Sequence, residues 1–405
     1  MKKNFIVFLF IFLASIKIID AQSIVNIYQT SNSNLVYDWI NDICFDENNN
    51  LFIATEFGFS KLDQNDYWTN WNSPTDGLPE NVIKTVYCET NIGVYLGGFL
   101  TGLSFYNNNQ FENLLLPIEI DQFVRAITSN DAFLYVGTTN GIGIYNFANE
   151  NWTYINGENT KIPSSNITSL ALNEAGILYA GTINGGLLKI EENNLIYNYG
   201  ETDGLPDNTI LDIEIDNNGL IWMASPAAGL VNFDGTLFES INEINSNLPS
   251  NNLNTLAIAS NNDLWIGTAN NGLAKLNAEG FYTINMGNST LPSNQINTIL
   301  IEDSTTIWVG TNNGLIKISS DNSTSIEKDE TIIKDIFYPN PSKGFLFFDV
   351  QNFCSEITVT NLSGKQIVIQ KGEIEFLDLN NFANGSYVIC CQSPKYYCQK
   401  IFLLK

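Results

Sequence analysis

Acids are the side chains here with the numbers and spacing to do chemistry. The 405-residue chain has 43 Asp and Glu, 18 Lys and Arg, and no His. Without His there is no Ser-His-Asp or Cys-His catalysis and no His-ligated zinc or haem. The single arginine, Arg125, cannot form a phosphate-binding cluster. A net charge of −25 repels nucleic-acid backbones and anionic lipid. Two carboxylate pairs stand out, Asp76 with Glu80 and Asp203 with Asp207. A glycoside hydrolase needs two carboxylates about the scissile bond, and a calcium site needs several converging oxygens. Asp46–Asn50 and Asp216–Gly219 resemble calcium-loop fragments but lack the later Glu, so they read as β-turns. No catalytic, cofactor or metal residue is assigned.

Around those pairs lie Asn81, Asn208, Asn251 and Asn294, each after a Leu-Pro step. Amides donate and accept hydrogen bonds, which suits a sugar. The same residues suit tight turns, where Pro and Gly preset the backbone. Asp76, Glu80, Asn81, Asp203, Asp207, Asn208, Asn251 and Asn294 therefore form a candidate ligand face whose single residues read first as turn chemistry. Trp68, Trp71 and Trp152 can stack a ligand or pack between sheets; packing is the simpler reading.

The elements that carry these residues repeat. A small residue before Thr or Ser recurs at Ala54, Gly137, Gly181, Ala224, Gly267 and Gly310, with a degenerate copy at Gly97, at spacings of 40–44 residues. An aromatic precedes each by two positions, as in Tyr179, Trp265 and Trp308, and a Gly followed by an apolar residue comes four or five later. Within a unit the pattern is four short strands, the unit of a β-propeller blade. In the last copy, Ile296–Ile301, Ile307–Thr311 and Leu315–Ile318 read as strands, with the Asn312-Asn313-Gly314 turn between the last two. Seven inner strands begin near Trp39, Asn81, Val124, Asn166, Thr209, Leu253 and Ile296. The last unit lacks its outer strand, and residues 24–29 lie ahead of the first unit where an outer strand belongs. The expected fold is all-β: a seven-bladed propeller closed by the N-terminal strand, followed by a small C-terminal β-sandwich. Closure removes the exposed edges.

Asp203-Gly204-Leu205-Pro206-x-Asn208, Leu248-Pro249-x-Asn251 and Leu291-Pro292-x-Asn294, each followed by a strand and a Gly-Leu turn, resemble the two-component regulator propeller repeat. That resemblance implies the propeller fold, in a family named from periplasmic sensor regions. The last 70 residues carry Tyr338-Pro339-Asn340-Pro341…Gly344, an Asn361…Gly364 turn, Gly385-x-Tyr387 and an apolar tail ending in Lys. In that order they resemble the type A C-terminal sorting domain of type IX secretion cargo from Bacteroidota. The resemblance implies passage across the outer membrane with the secretion machinery as partner, and Tyr338, Pro339, Asn340, Pro341, Gly344, Gly364, Gly385 and Tyr387 as its marks.

At the start, Lys2 and Lys3 precede ten apolar residues, Phe5–Ala14, and a small residue at Ala21-Gln22. This reads as a secretory signal cut between Ala21 and Gln22. No other run approaches the ~18 apolar residues of a membrane helix. The expected divisions are a signal peptide over 1–21, a propeller over 22–318, a linker over 319–334 and a sorting domain over 335–405. Export permits disulfides. Cys391 with Cys398 and Cys354 with Cys390 are options, whereas Cys44 and Cys88, inside apolar strand patterns, read as buried free thiols. The functional expectation is a secreted or cell-surface propeller that binds a glycan or protein, with no cofactor. An extracellular carboxylate-dependent glycoside hydrolase and a sensor component of a two-component-type system are the alternatives.

Overall fold

Short alternating runs broken by Gly, Asn and Asp make every repeat a meander of antiparallel strands. A computed structural model of the chain describes residues 23–319 except 74, 161 and 192–194, together with 337–338, 342–343, 345–348, 354–361, 366–374, 376–392 and 396–403. The expected signal segment with its Ala21–Gln22 cut lies outside the described residues. So do residues 320–334 of the expected linker, and Pro339, Asn340, Pro341, Gly344 and Gly364. The chain divides into two compact units, residues 1–322 and 323–405.

The first unit holds seven four-stranded sheets. Their inner strands are Ile40–Phe45, Ile83–Glu89, Val124–Ser129, Ile167–Leu172, Asp212–Ile215, Leu253–Ile258 and Ile296–Ile301. Six sheets are continuous in sequence. The seventh takes its outer strand, Ser23–Tyr28, from the other end of the propeller, paired antiparallel with Gly314–Ser319 so that Ile24 faces Ile318 and Tyr28 faces Leu315. The ring closes as the sequence pattern predicts. Asp38, in the loop entering the first blade, adds a contact: its carbonyl accepts the Gly314 N–H at 2.7 Å.

Second strands are fully buried in four blades, as in Leu51–Thr55 and Thr306–Thr311, because a neighbouring blade covers each face. The small residue of the repeat makes room for that neighbour. A Cβ added at Gly310 would sit 2.6 Å from Ile40 Cγ2, and one at Gly97 would sit 2.6 Å from Val124 Cγ1; Ile40 and Val124 open the following blades. Trp71 is buried against Phe59 and Tyr106 of two adjacent blades, Trp68 packs edge-on against Tyr28 and Trp152 against Tyr145. Trp71 belongs to the core, and Trp68 and Trp152 pack partly buried against it.

One expectation is corrected. Cys44 and Cys88 are not free thiols but a disulfide, with Cα atoms 5.8 Å apart. Cys44 lies on the inner strand of the first blade and Cys88 on that of the second. Facing blades bring the two side chains into one apolar cluster with Phe52 and Val94. Their separation of 44 residues is one repeat, so equivalent columns of adjacent blades meet.

The second unit is a sandwich of a three-stranded and a four-stranded sheet. Leu346 and Leu377 from the first meet Ile357, Val359, Ile389 and Leu403 from the second in one core. Tyr387 is buried there and its hydroxyl donates to the Ala383 carbonyl at 2.8 Å. Gly385 opens the strand that carries it, while Tyr338 lies on the strand Phe337–Tyr338. The side chains of Cys354, Cys390, Cys391 and Cys398 lie outside the described residues, and with them the suggested pairings.

Candidate functional site

The repeat motif is resolved into hydrogen bonds. In five blades the Thr after the small residue is buried, and its hydroxyl donates to the carbonyl of the Gly that closes the turn between second and third strands. Thr55 reaches Gly58 at 2.8 Å, Thr138 reaches Gly141 at 3.0 Å, Thr182 reaches Gly186 at 2.8 Å, Thr268 reaches Gly272 at 2.7 Å and Thr311 reaches Gly314 at 2.8 Å. That Gly has φ of +120° at position 314, which other residues rarely adopt.

The candidate face turns out to be built the same way. The amide oxygens of Asn81, Asn208, Asn251 and Asn294 accept backbone N–H groups from Ser73, Glu201, Glu243 and Met286, at 2.7–3.0 Å. Each acceptor lies seven or eight residues beyond its donor, folding the loop between an outer strand and the next inner strand. Three of the four also accept a turn-glycine N–H on their own carbonyls: Asn81 from Gly58, Asn208 from Gly186 and Asn294 from Gly272. Asp76 accepts the Asn72 N–H and Asp203 the Gly200 N–H, both at 3.0 Å. Glu80 reaches the next turn, accepting the N–H groups of Leu100 and Thr101 and the Thr101 hydroxyl, while Asp207 accepts the Thr209 N–H and the Ser225 hydroxyl. The two carboxylates of each pair are turned to different groups. In the calcium-like fragments, Asp46 and Asp216 each accept two N–H groups of their own turn.

A different set of polar side chains meets on the axis. In six blades the inner strand begins with a β-bulge, which inserts one residue against the second strand. A bulge re-aims its side chain. Here it brings Asn41, Lys84, Arg125, Thr168, Asn254 and Asn297 to a cavity of about 210 Å³ that borders all seven blades. Asn41, Asn254 and Asn297 each donate to the first carbonyl of the next inner strand, on Ile83, Ile296 and Ile40, at 2.7–2.9 Å. Thr168 donates to the Ile210 carbonyl. Lys84 pairs with Glu56, and Arg125 Nη1 donates to Asn166 Oδ1 at 3.0 Å. These residues stand at the mouth, where the loops enter the inner strands.

One residue further along comes a second ring: Asp42, Thr85, Ala126, Ser169, Asp212, Thr255 and Thr298. Asp42 ties three blades together, accepting the hydroxyls of Thr85 at 2.8 Å and Thr298 at 3.1 Å and the Val86 N–H at 2.9 Å. Asp212 accepts the Leu256 N–H at 2.8 Å. Ser169 Oγ alone is buried without a hydrogen-bond partner among the described side chains. Burial raises the Asp42 carboxyl above its ordinary range and pushes Asp212 up to about 6. Glu214, two residues beyond Asp212, is pushed up to about 8, first by burial and then by the Asp212 charge. Among the described residues no group of three or more Cys, Asp and Glu is placed to hold a metal ion.

In sequence Arg125 is solitary and forms no cluster. Its column was the missed signal: aligned on the repeat, Asn41, Lys84, Arg125, Thr168, Asn254 and Asn297 hold one position.

Residues 204–227 and 247–270 match the model of the two component regulator propeller, and residues 336–404 match that of the secretion system C-terminal sorting domain. This chain carries two-component regulator propeller repeats and a type IX secretion sorting domain. The sorting domain makes it a secreted or cell-surface protein that engages the secretion machinery. Among the described residues no helix is long and apolar enough to cross a membrane. No curated protein matches the sequence.

Among solved structures, the propeller protein is similar to the extracellular domain assigned to a hybrid two-component system, BT3049 of B. thetaiotaomicron. Identity is 18%, the TM-score 0.63, and coverage 91% of this chain and 56% of that one. It is also similar to PorZ, an essential surface component of the type IX secretion system of Porphyromonas gingivalis, at 15% identity and a TM-score of 0.57, over 91% of this chain and 60% of that one. Virginiamycin B lyase from Staphylococcus aureus matches at 14% identity and a TM-score of 0.59, over 74% of this chain and 99% of that one. The chain thus spans little more than half of the first two, and these likenesses establish the fold.

Proposed function

We propose that this secreted propeller is a binding module for a glycan or protein ligand, with the ligand docking over the mouth of the axial channel. The observation that supports this most is where hydrogen-bonding capacity is left over. On the loop face, Asn81, Asn208, Asn251, Asn294 and the paired acids are engaged by backbone groups. At the channel, among the described residues, Ser169 Oγ has no partner and Arg125 uses one donor of five. Ligand sites are concave, with a small number of placed polar groups that fix orientation.

Hydrolysis by Asp76 with Glu80, or Asp203 with Asp207, fits less well, because each carboxylate is turned to its own backbone donors. The test is a screen of the full-length protein on glycan and peptide arrays, followed by titration of the hits and assay for product. Saturable binding without product supports the module. Release of reducing ends from a polysaccharide would make the protein a hydrolase instead.

A further inference from the structure

We propose that the channel mouth beside the third and fourth blades receives the C-terminal carboxylate of a partner polypeptide, held by Arg125 and flanked by apolar side chains. This rests on reading the propeller as a binding module and specifies its ligand.

Arg125 is the only arginine of the chain and lies partly buried at the cavity. Lys84, Lys189, Lys275 and Lys317 each pair with a carboxylate, but among the described residues Arg125 has none. Its hydrogen-bond partner is a neutral amide, Asn166 Oδ1. A desolvated guanidinium without an anion is costly, and its planar fork matches a carboxylate with two parallel bonds. Asn166 immediately precedes the fourth inner strand, and that strand carries Ser169. Ser169 is 6% exposed, lines the same cavity and has an unpartnered hydroxyl. Arg125 and Ser169 therefore line one hollow, with the Ser169 hydroxyl buried toward Gly181 of its own blade.

The charge pattern selects a single anionic group over a polyanion. The chain carries −25 overall, and Asp42 and Asp212 border the same cavity. One terminal carboxylate meets Arg125 with the least repulsion.

The rim selects a peptide over a sugar. Many sugar sites stack a ring on an open aromatic face, but the Phe123 ring is covered by the Arg125 guanidinium at 5.9 Å and by Phe99, edge-on at 4.7 Å. Beside it Leu100, 72% exposed, and Phe99, 44% exposed, present apolar surface. Such a rim accepts aliphatic side chains just ahead of a chain terminus.

The experiment uses fluorescein-labelled hexapeptides with four apolar C-terminal residues, made with a free carboxylate or a carboxamide, titrated into full-length protein by fluorescence polarisation. A uronic-acid-terminated oligosaccharide is the third probe. The free-acid peptides are expected to bind about tenfold tighter than the amides, and Arg125→Gln to abolish the difference with an unchanged Tm. Arg125→Lys is expected to restore part of it. Equal affinity for acid and amide, or a difference that survives Arg125→Gln, overturns the proposal. Binding of the oligosaccharide but no peptide also overturns it while leaving the binding-module reading intact; failure of every probe, on these and on the arrays, counts against both. Should Arg125→Gln misfold, Arg125→Lys supplies the second variant, with a smaller loss confined to the acid peptides.

Discussion

Asn294 shows how one side chain can look like a ligand group and act as a fold element. Its amide oxygen takes the Met286 N–H at 2.8 Å and its carbonyl the Gly272 N–H at 2.9 Å. Asn294→Ala should lower stability by about 1 kcal/mol, read as a drop in Tm, because one backbone donor loses its partner; an unchanged Tm would make the bond incidental. Glu214 gives a pH-dependent prediction. Its folded pKa, about 8, lies above its ordinary 4.5. The folded state therefore holds the proton more tightly, and its advantage is complete below about pH 4.5 and fades as pH rises toward 8. Glu214→Gln should raise Tm at pH 8.5 relative to wild type and change it little at pH 4.5. Equal shifts at both pH values would contradict the burial argument. At this scale the sequence was partly legible. The Leu-Pro-x-Asn step announced turn chemistry, but nothing in residue type told a capping Asn251 from a channel-lining Asn254. Only the bulge, a backbone irregularity, separates them.

Among the elements, the inner strands do the most connecting. Asn41, Arg125, Thr168, Asn254 and Asn297 each hand a hydrogen bond on to the next blade, and the first two inner strands are also joined covalently. Cys44→Ala with Cys88→Ala should cost roughly 2–4 kcal/mol, since the bond closes a 44-residue interval. Denaturant titration of the exported protein would read this as a lower midpoint with little change in slope; an unaltered midpoint would show that the blades hold together without it. The repeat period was plain in the sequence because aromatic, small residue and Gly-Leu return every 40–44 positions. The disulfide was hidden for a physical reason. Strand alternation marks Cys44 and Cys88 as apolar positions, and the two strands are neighbours only once the blades stack. The bond was within reach of the same arithmetic that counted the blades, since partners one repeat apart occupy equivalent columns.

At the scale of the whole molecule, the channel exists only because the ring is closed. Ser23–Tyr28 completes the seventh blade, Asp38 accepts from Gly314, and Asp42 accepts from Thr298 across the same seam. Closure and blade number could be read from the sequence, because an outer strand was missing at one end and surplus at the other. The channel's rings could not be, since they are assembled from seven separate segments. The most direct measurement compares the full-length protein with one lacking residues 23–28, by Tm and by hydrogen exchange of the amides in Gly314–Ser319. A closed ring predicts a marked fall in Tm and loss of protection along that strand. An unchanged Tm with protection intact would contradict it.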